Sequence, residues 1–187
     1  MTAPEETGGE QELGASGPLV GLRVLDFSRG LPGALATMLL ADYGAEVTKI
    51  ESPEGDPLAQ GPAFRVWNRG KKSVVLDLRR RDGVEKALAL ARNTDVLLET
   101  FRPGVAEGIG IGYSQVSRVN PYLIYCSISS YGMHGPRKDY HGYEGLASAA
   151  AAIMTDQPGV RDGPMFCSIP LASIGASMLA LQGILAA

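Results

Sequence analysis

Apolar and polar positions along the chain switch between two periods. Leu22-Arg23-Val24-Leu25-Asp26-Phe27 is a short apolar run bounded by glycines, which predicts a strand. Leu31 to Asp42 follows with Leu35, Met38, Leu39 and Asp42 at helical spacing, and Pro32 is compatible with a first helical turn. Gly44 suits the end of that helix, because glycine enters the left-handed conformation without steric cost. Residues 46 to 51 then alternate with period two and predict a second strand. Residues 52 to 72 are rich in Pro and Gly and read as a long excursion, a length that compact domains reserve for functional loops.

The pattern then resumes. A strand is predicted over Ser73 to Leu78, and an amphipathic helix over Asp82 to Asn93 with Val84, Leu88 and Ala91 on one face. Further strands are expected at Asp95 to Glu99 and Leu123 to Ile128, with a short helix Ser114 to Val119 between them. Strands alternating with helices predict an α/β fold with a Rossmann-like, open and mostly parallel sheet. Tyr143 to Met154 is alanine-rich, and residues 155 to 164 form a turn-rich link. From Ser168 a helix is expected to run to Ala187 with no capping residue, which suggests a part of a longer protein.

Composition narrows the class. With 187 residues, 45% of them hydrophobic, the chain can bury one ordinary core, and only Cys126 and Cys167 are cysteines. A disulfide scaffold is excluded, and a reducing, cytoplasmic setting is expected. Residues 1 to 17 carry Glu5, Glu6, Glu10 and Glu12 and no base, and read as a disordered acidic tail before a domain over 18 to 187. They have no apolar core, so they are not a signal peptide. The stretch from Ile169 to Ala187 is interrupted by Ser173, Gly175, Ser177 and Gln182, and reads as a buried or half-buried helix rather than a membrane span.

Net charge is -3. Arg65, Arg69, Lys71, Lys72, Arg79, Arg80 and Arg81 nevertheless fall in one segment opposed there only by Asp77. A single basic segment on a near-neutral body argues against nucleic acid. It suits either a smaller polyanion or a solvated loop. No phosphate-binding Walker sequence occurs, and Gly108-Ile109-Gly110-Ile111-Gly112 neither follows a strand directly nor opens a long helix. His134 and His141 lack partners at metal-ligand spacing, so no metal is expected. Cys167 has no identifiable base and reads as a small core residue.

The order of local motifs goes further. Gly21 to Ser28 (GLRVLDFS) and Leu39 to Glu51 (LLADYGAEVTKIE) are followed by Gly55-Asp56-Pro57, Asn68-Arg69-Gly70-Lys71-Lys72-Ser73 and Leu76-Asp77-Leu78. Phe101-Arg102-Pro103-Gly104, Asn120-Pro121, Leu123 to Ile128, Tyr131-Gly132, Gly135-Pro136 and Gly142-Tyr143 complete the series. In order and spacing this resembles the family III CoA-transferases, the family of formyl-CoA and carnitine CoA-transferases and α-methylacyl-CoA racemases. The resemblance implies a CoA-binding Rossmann-like domain, here incomplete at its C-terminus, in an interlocked dimer. It implies acyl-CoA and a carboxylic acid as substrates, with CoA passed through an aspartyl intermediate. Carried over residue by residue, its cofactor contacts fall at Arg29, Leu31 and Pro32, at Ser52, at Leu76, Asp77 and Arg79, at Thr100, Phe101 and Arg102, and at His141 and Tyr143.

Departures from the family pattern matter as much. Its nucleophilic Asp stands in a Pro-x-x-Asp setting, which here reads Pro170-Leu171-Ala172-Ser173. Ser173 cannot form the acyl anhydride, and the sequence offers it no evident base. Thr100 replaces an Asn, Gly108 an Arg, Ser52 a basic residue, and Tyr143 the racemase His. The expectation is a transferase scaffold without its own nucleophile: a non-catalytic half or subunit, paired with an active second half or paralogue. The alternatives are that another residue has taken over the chemistry, or that the domain binds adenosine dinucleotides without preference for CoA.

Overall fold

Five strands and seven helices alternate through residues 17–56, 59–155 and 162–187, the residues described by the computed structural model. The strands are β1 (Arg23–Asp26), β2 (Glu46–Glu51), β3 (Lys71–Val75), β4 (Val96–Glu99) and β5 (Ile124–Ser127). The helices are α1 (Leu31–Asp42), α2 (Pro62–Trp67), α3 (Arg81–Ala91), α4 (Val105–Ile109), α5 (Tyr113–Val119), α6 (Glu144–Ala150) and α7 (Leu171–Ala186). All strand pairs are parallel, in the order β3-β2-β1-β4-β5. The order reverses between β1 and β4, which makes the ends of those two strands the topological switch of the sheet.

Period-two alternation divides the core into two layers. Leu25 and Leu97 face one side of the sheet and pack with Ala87 and Ala91 of α3 and Val116 of α5. Val24, Val47, Val96 and Leu98 face the other side and pack with Ala36 and Leu40 of α1 and Ile184 of α7. Both faces are therefore covered, as a parallel sheet requires. Within the second layer, the fully buried Ser177 hydroxyl lies 2.7 Å from the carbonyl oxygens of both Pro32 and Ser173, and shares its proton between them. That contact ties the start of α1 to the start of α7.

Several expected boundaries move. The third strand starts at Lys71 instead of Ser73 and ends at Val75 instead of Leu78, because Lys71 is the partner of a buried aspartate rather than part of a solvated loop. The excursion of residues 52 to 72 contains α2 and the start of β3. Gly104 and Gly110, with φ of 84° and 102°, bracket α4, a helix whose glycine content hid it. The last helix begins at Leu171 rather than Ser168 and is half-buried, with Leu179 and Leu185 exposed. The acidic tail lies outside the described residues but for Gly17, and the 155–164 link lies there over 156–161.

Candidate functional site

Two adjoining clefts open at the strand switch. The larger, about 830 Å³, lies beyond the ends of β1, β2 and β3 and includes Arg29, Ser52, Leu76, Asp77, Arg79 and Phe101. The second, about 540 Å³, lies between the α1 start and the α6–α7 pair, and includes Arg29, Leu31, Pro32, Thr100, Tyr143 and Ser173. Arg29 lines both and stands at their junction. Ten more of the sequence-derived positions are thus shared between the clefts with it, while Arg102 and His141 line neither and contact each other at 3.1 Å.

The turns that shape this junction are fixed by polar contacts at the strand ends. Thr100 Oγ1 accepts the Arg29 N–H at 2.8 Å and donates to the Arg29 carbonyl at 3.0 Å, so the loops after β1 and β4 are held as one unit. The buried Glu99 carboxylate accepts the Phe101 N–H at 2.6 Å. Gly33 lies so close to Ser28 and Thr100 that a Cβ there would stand 2.1 Å from Ser28 Cβ and 2.8 Å from Thr100 Cγ2. Close backbone approach is what demands glycine at that point.

Below the clefts, the basic segment expected from sequence resolves into separate ion pairs. Lys71 Nζ is buried and lies 3.1 Å from Asp26 Oδ2, while also donating to Asn68 and to the Ala34 carbonyl. Lys49 Nζ is 3.9 Å from the same carboxylate and donates to the Ser28 carbonyl at 2.9 Å. Thr37 donates to Asp26 at 2.7 Å and the Ser28 N–H at 2.8 Å. Burial alone would raise the Asp26 carboxyl, but Lys71, Lys49 and these hydrogen bonds outweigh it and hold it below the usual aspartate range. Arg69 pairs with Asp42, Lys72 with Glu46, Arg80 with Asp82 and Arg81 with Glu85. The segment is therefore not one basic patch. Arg79 faces the larger cleft, but its guanidinium is already engaged by Asp77 and Glu54.

The second cleft contains a contact that sequence reasoning missed. Glu144, the first residue of α6, reaches the start of α7, where its carboxylate accepts the N–H groups of Ala172 and Ser173, both at 2.9 Å. Ser148 donates to it at 3.0 Å, and Ser173 Oγ at 2.6 Å. A carboxylate partner for Ser173 therefore exists, contrary to the sequence expectation. Only the fold brings the two together, since they are 29 positions apart. Partial burial would raise the Glu144 carboxyl, but the bonds from Ser173, Ala172 and Ser148 hold it below the usual glutamate range. A carboxylate so satisfied is a weak base, since accepting a proton would forfeit several of those bonds. Its first role is to cap the positive end of α7.

Burial, with Glu99 nearby, pushes the Cys126 thiol up to about 11, which keeps it protonated and inert. Among the described residues no cluster of three or more His, Cys, Asp or Glu could hold a metal ion, and no helix is long and apolar enough to cross a membrane.

A doubly wound parallel sheet with paired clefts at its switch point defines an open α/β domain whose clefts lie where such sheets receive ligands. Comparison with known proteins refines that class: the chain belongs to CoA-transferase family III, whose model matches residues 19–187. It is 36% identical over 181 residues to the probable fatty acyl-CoA transferase Rv3272 of Mycobacterium tuberculosis, covering 91% of this chain and 46% of that protein. It is 37% identical over 188 residues to the succinate–glutarate CoA-transferase of Agrobacterium fabrum, covering 91% of this chain and 46% of the relative. A crystal structure of Rv3272 superposes with a TM-score of 0.87 at 37% identity, covering 92% of this chain and 51% of that one. The chain thus spans about half the length of the relatives it matches.

Proposed function

We propose that this domain binds coenzyme A, as acyl-CoA, across the two clefts, and that it serves a CoA-transferase without supplying the nucleophile. The family supports the cofactor, and the clefts supply its chemistry. Arg29 at their junction and Arg79 in the larger cleft are positioned for phosphates. The apolar walls at Leu76 and Phe101 suit the adenine and pantetheine portions. Arg102 and His141 stand outside the clefts as auxiliary contacts, at most with the ligand's outer phosphate.

The observation that carries the catalytic half of the proposal is the Ser173–Glu144 pair. Ser173 sits in the first turn of α7, where the family resemblance places the nucleophilic Asp, and its hydroxyl is held by Glu144. An aspartate attacking an acyl-CoA thioester expels CoA and forms a mixed anhydride. CoA then opens that anhydride at the aspartyl carbonyl, releasing the first acid and leaving an aspartyl-CoA thioester, from which the acceptor acid takes the CoA by the same two steps in reverse. A serine yields an ester, too unreactive for a carboxylate acceptor to displace. Glu144, kept ionised by its donors, is also poorly matched to activating an alcohol at neutral pH.

The whole protein therefore transfers CoA between an acyl-CoA and a carboxylic acid only with an aspartate supplied by a second half or an active paralogue. Leu179 and Leu185, exposed on α7, support a covering element there. The domain is taken as 18–187, preceded by an acidic tail. The unpaired cysteines support a reducing, cytoplasmic setting.

The test is acyl-exchange activity of the Ser173→Asp variant, alone and combined with Glu144→Gln. Ser173→Asp alone places a second carboxylate against Glu144, and like charges at that range cannot both ionise freely. The double variant is expected to exchange more than the single one, and the unmodified chain not at all. Exchange by the unmodified chain that survives Ser173→Ala would favour the alternative in which another residue has taken over the chemistry.

A further inference from the structure

The larger cleft holds a charge arrangement that family membership does not predict. Arg79 Nε donates to Asp77 Oδ1 at 2.9 Å, Nη2 to Asp77 Oδ2 at 3.2 Å, and Nη1 to Glu54 Oε1 at 2.5 Å. Every nitrogen of the guanidinium therefore faces a carboxylate, and the three side chains together carry a net charge of minus one. A phosphate approaching Arg79 meets an anionic cluster, not a free cation. The cleft as a whole is no more basic than it is acidic, with Glu51, Glu54, Asp77 and Glu85 set against Arg29, Arg79, Arg80 and Arg81.

The two carboxylates are not equivalent. Asp77 is anchored: it also accepts the Arg79 N–H at 3.1 Å, and its side chain is only 23% exposed. Glu54 is 70% exposed and rides on a tight turn in which the Gly55 N–H donates to the Ser52 carbonyl at 2.8 Å, with Pro53 at the second position and Gly55 at φ 77°. Among the described residues, Arg79 is the one side-chain partner of its carboxylate. An exposed pair of this kind is worth little in water, so a doubly charged phosphate that bonds the same guanidinium face can displace it.

We propose that Glu54 is a specificity-determining residue: an internal carboxylate that occupies the phosphate position on Arg79 and is displaced when a phosphate of CoA binds. Asp77 stays and orients the guanidinium; Glu54 leaves. The consequence is discrimination. Weak carboxylate or singly charged ligands do not dislodge Glu54, whereas a phosphate does, at a cost to affinity that the free cation would not impose. This inference rests on the reading of the cleft as the CoA site.

The experiment is calorimetric titration of CoA into the full-length protein and its Glu54→Gln, Arg79→Ala and doubly substituted forms, with circular dichroism confirming the fold of each. Removing the competing charge is expected to tighten CoA binding about threefold, the scale of an exposed carboxylate–guanidinium pair. Arg79→Ala is expected to weaken it, and Glu54→Gln to bring no gain when Arg79 is absent. An unchanged or weaker affinity in Glu54→Gln overturns the proposal. So does an equal gain with and without Arg79, which would mean a general field rather than competition for one guanidinium. If all four proteins are folded and none binds CoA, the reading of the cleft falls, and this inference with it.

Discussion

Asp26 shows how a single buried side chain ties three neighbouring strands together. It accepts from Thr37 of α1, pairs with Lys71 of β3, and lies within 3.9 Å of Lys49 of β2. Lys71→Met would leave the carboxylate with Lys49 as its remaining, more distant cation, and Asp26→Asn would leave two buried ammonium groups. Either is expected to lower stability by about 3–5 kcal/mol, the usual loss when one partner of a buried pair is removed. Urea unfolding midpoints measure this, and a change below 1 kcal/mol would show that the cluster relaxes freely. Glu144 and Asp26 also contribute to the acid sensitivity of the fold. Both are held below their ordinary range, so the stability they contribute is complete above that range and fades as pH falls through their lowered values. Thermal midpoints should therefore fall steeply below about pH 4. Glu144→Gln should melt lower at neutral pH and lose less on acidification; parallel curves would remove Glu144 from that role.

At the level of elements, the junction of α1 with the loops after β1 and β4 is the most constrained contact. Gly33→Ala would drive a methyl into Ser28 and Thr100, with an expected cost of about 1–3 kcal/mol. It should also weaken CoA binding by shifting Arg29 and Thr100; a folded variant with unaltered affinity would show that the junction does not shape the site. Elements with a plain period were legible in the sequence: α1 and β2 occur with their expected bounds, and α3 within two residues of them. The misses share a cause. The strand at Lys71 and Lys72 looked like a polar loop because the burial of an ammonium depends on a partner 45 positions away. The short helices α2 and α4 carry Pro and Gly at their ends, and local composition reads those as turns.

Over the whole molecule, the switch of strand order between β1 and β4 gathers residues from distant parts of the chain. Motif order in the sequence reached most of that set, because Arg29, Leu76, Thr100 and Tyr143 each stand at an element boundary. It did not reach Glu144 as the partner of Ser173 or Glu54 as the partner of Arg79, since both depend on how loops approach one another rather than on local pattern. The basic segment, which the sequence leaves open between a polyanion site and a solvated loop, is divided for the same reason: its run of charges becomes a set of pairs once the sheet assembles. On the proposed function, the paired clefts bind CoA while this chain lacks the nucleophile that would act on it. The most direct measurement is a titration of CoA into the folded full-length protein, followed by calorimetry. A single saturable site in the micromolar range, weakened by Arg29→Ala, is the expected result. A folded protein that takes up no CoA would contradict the account.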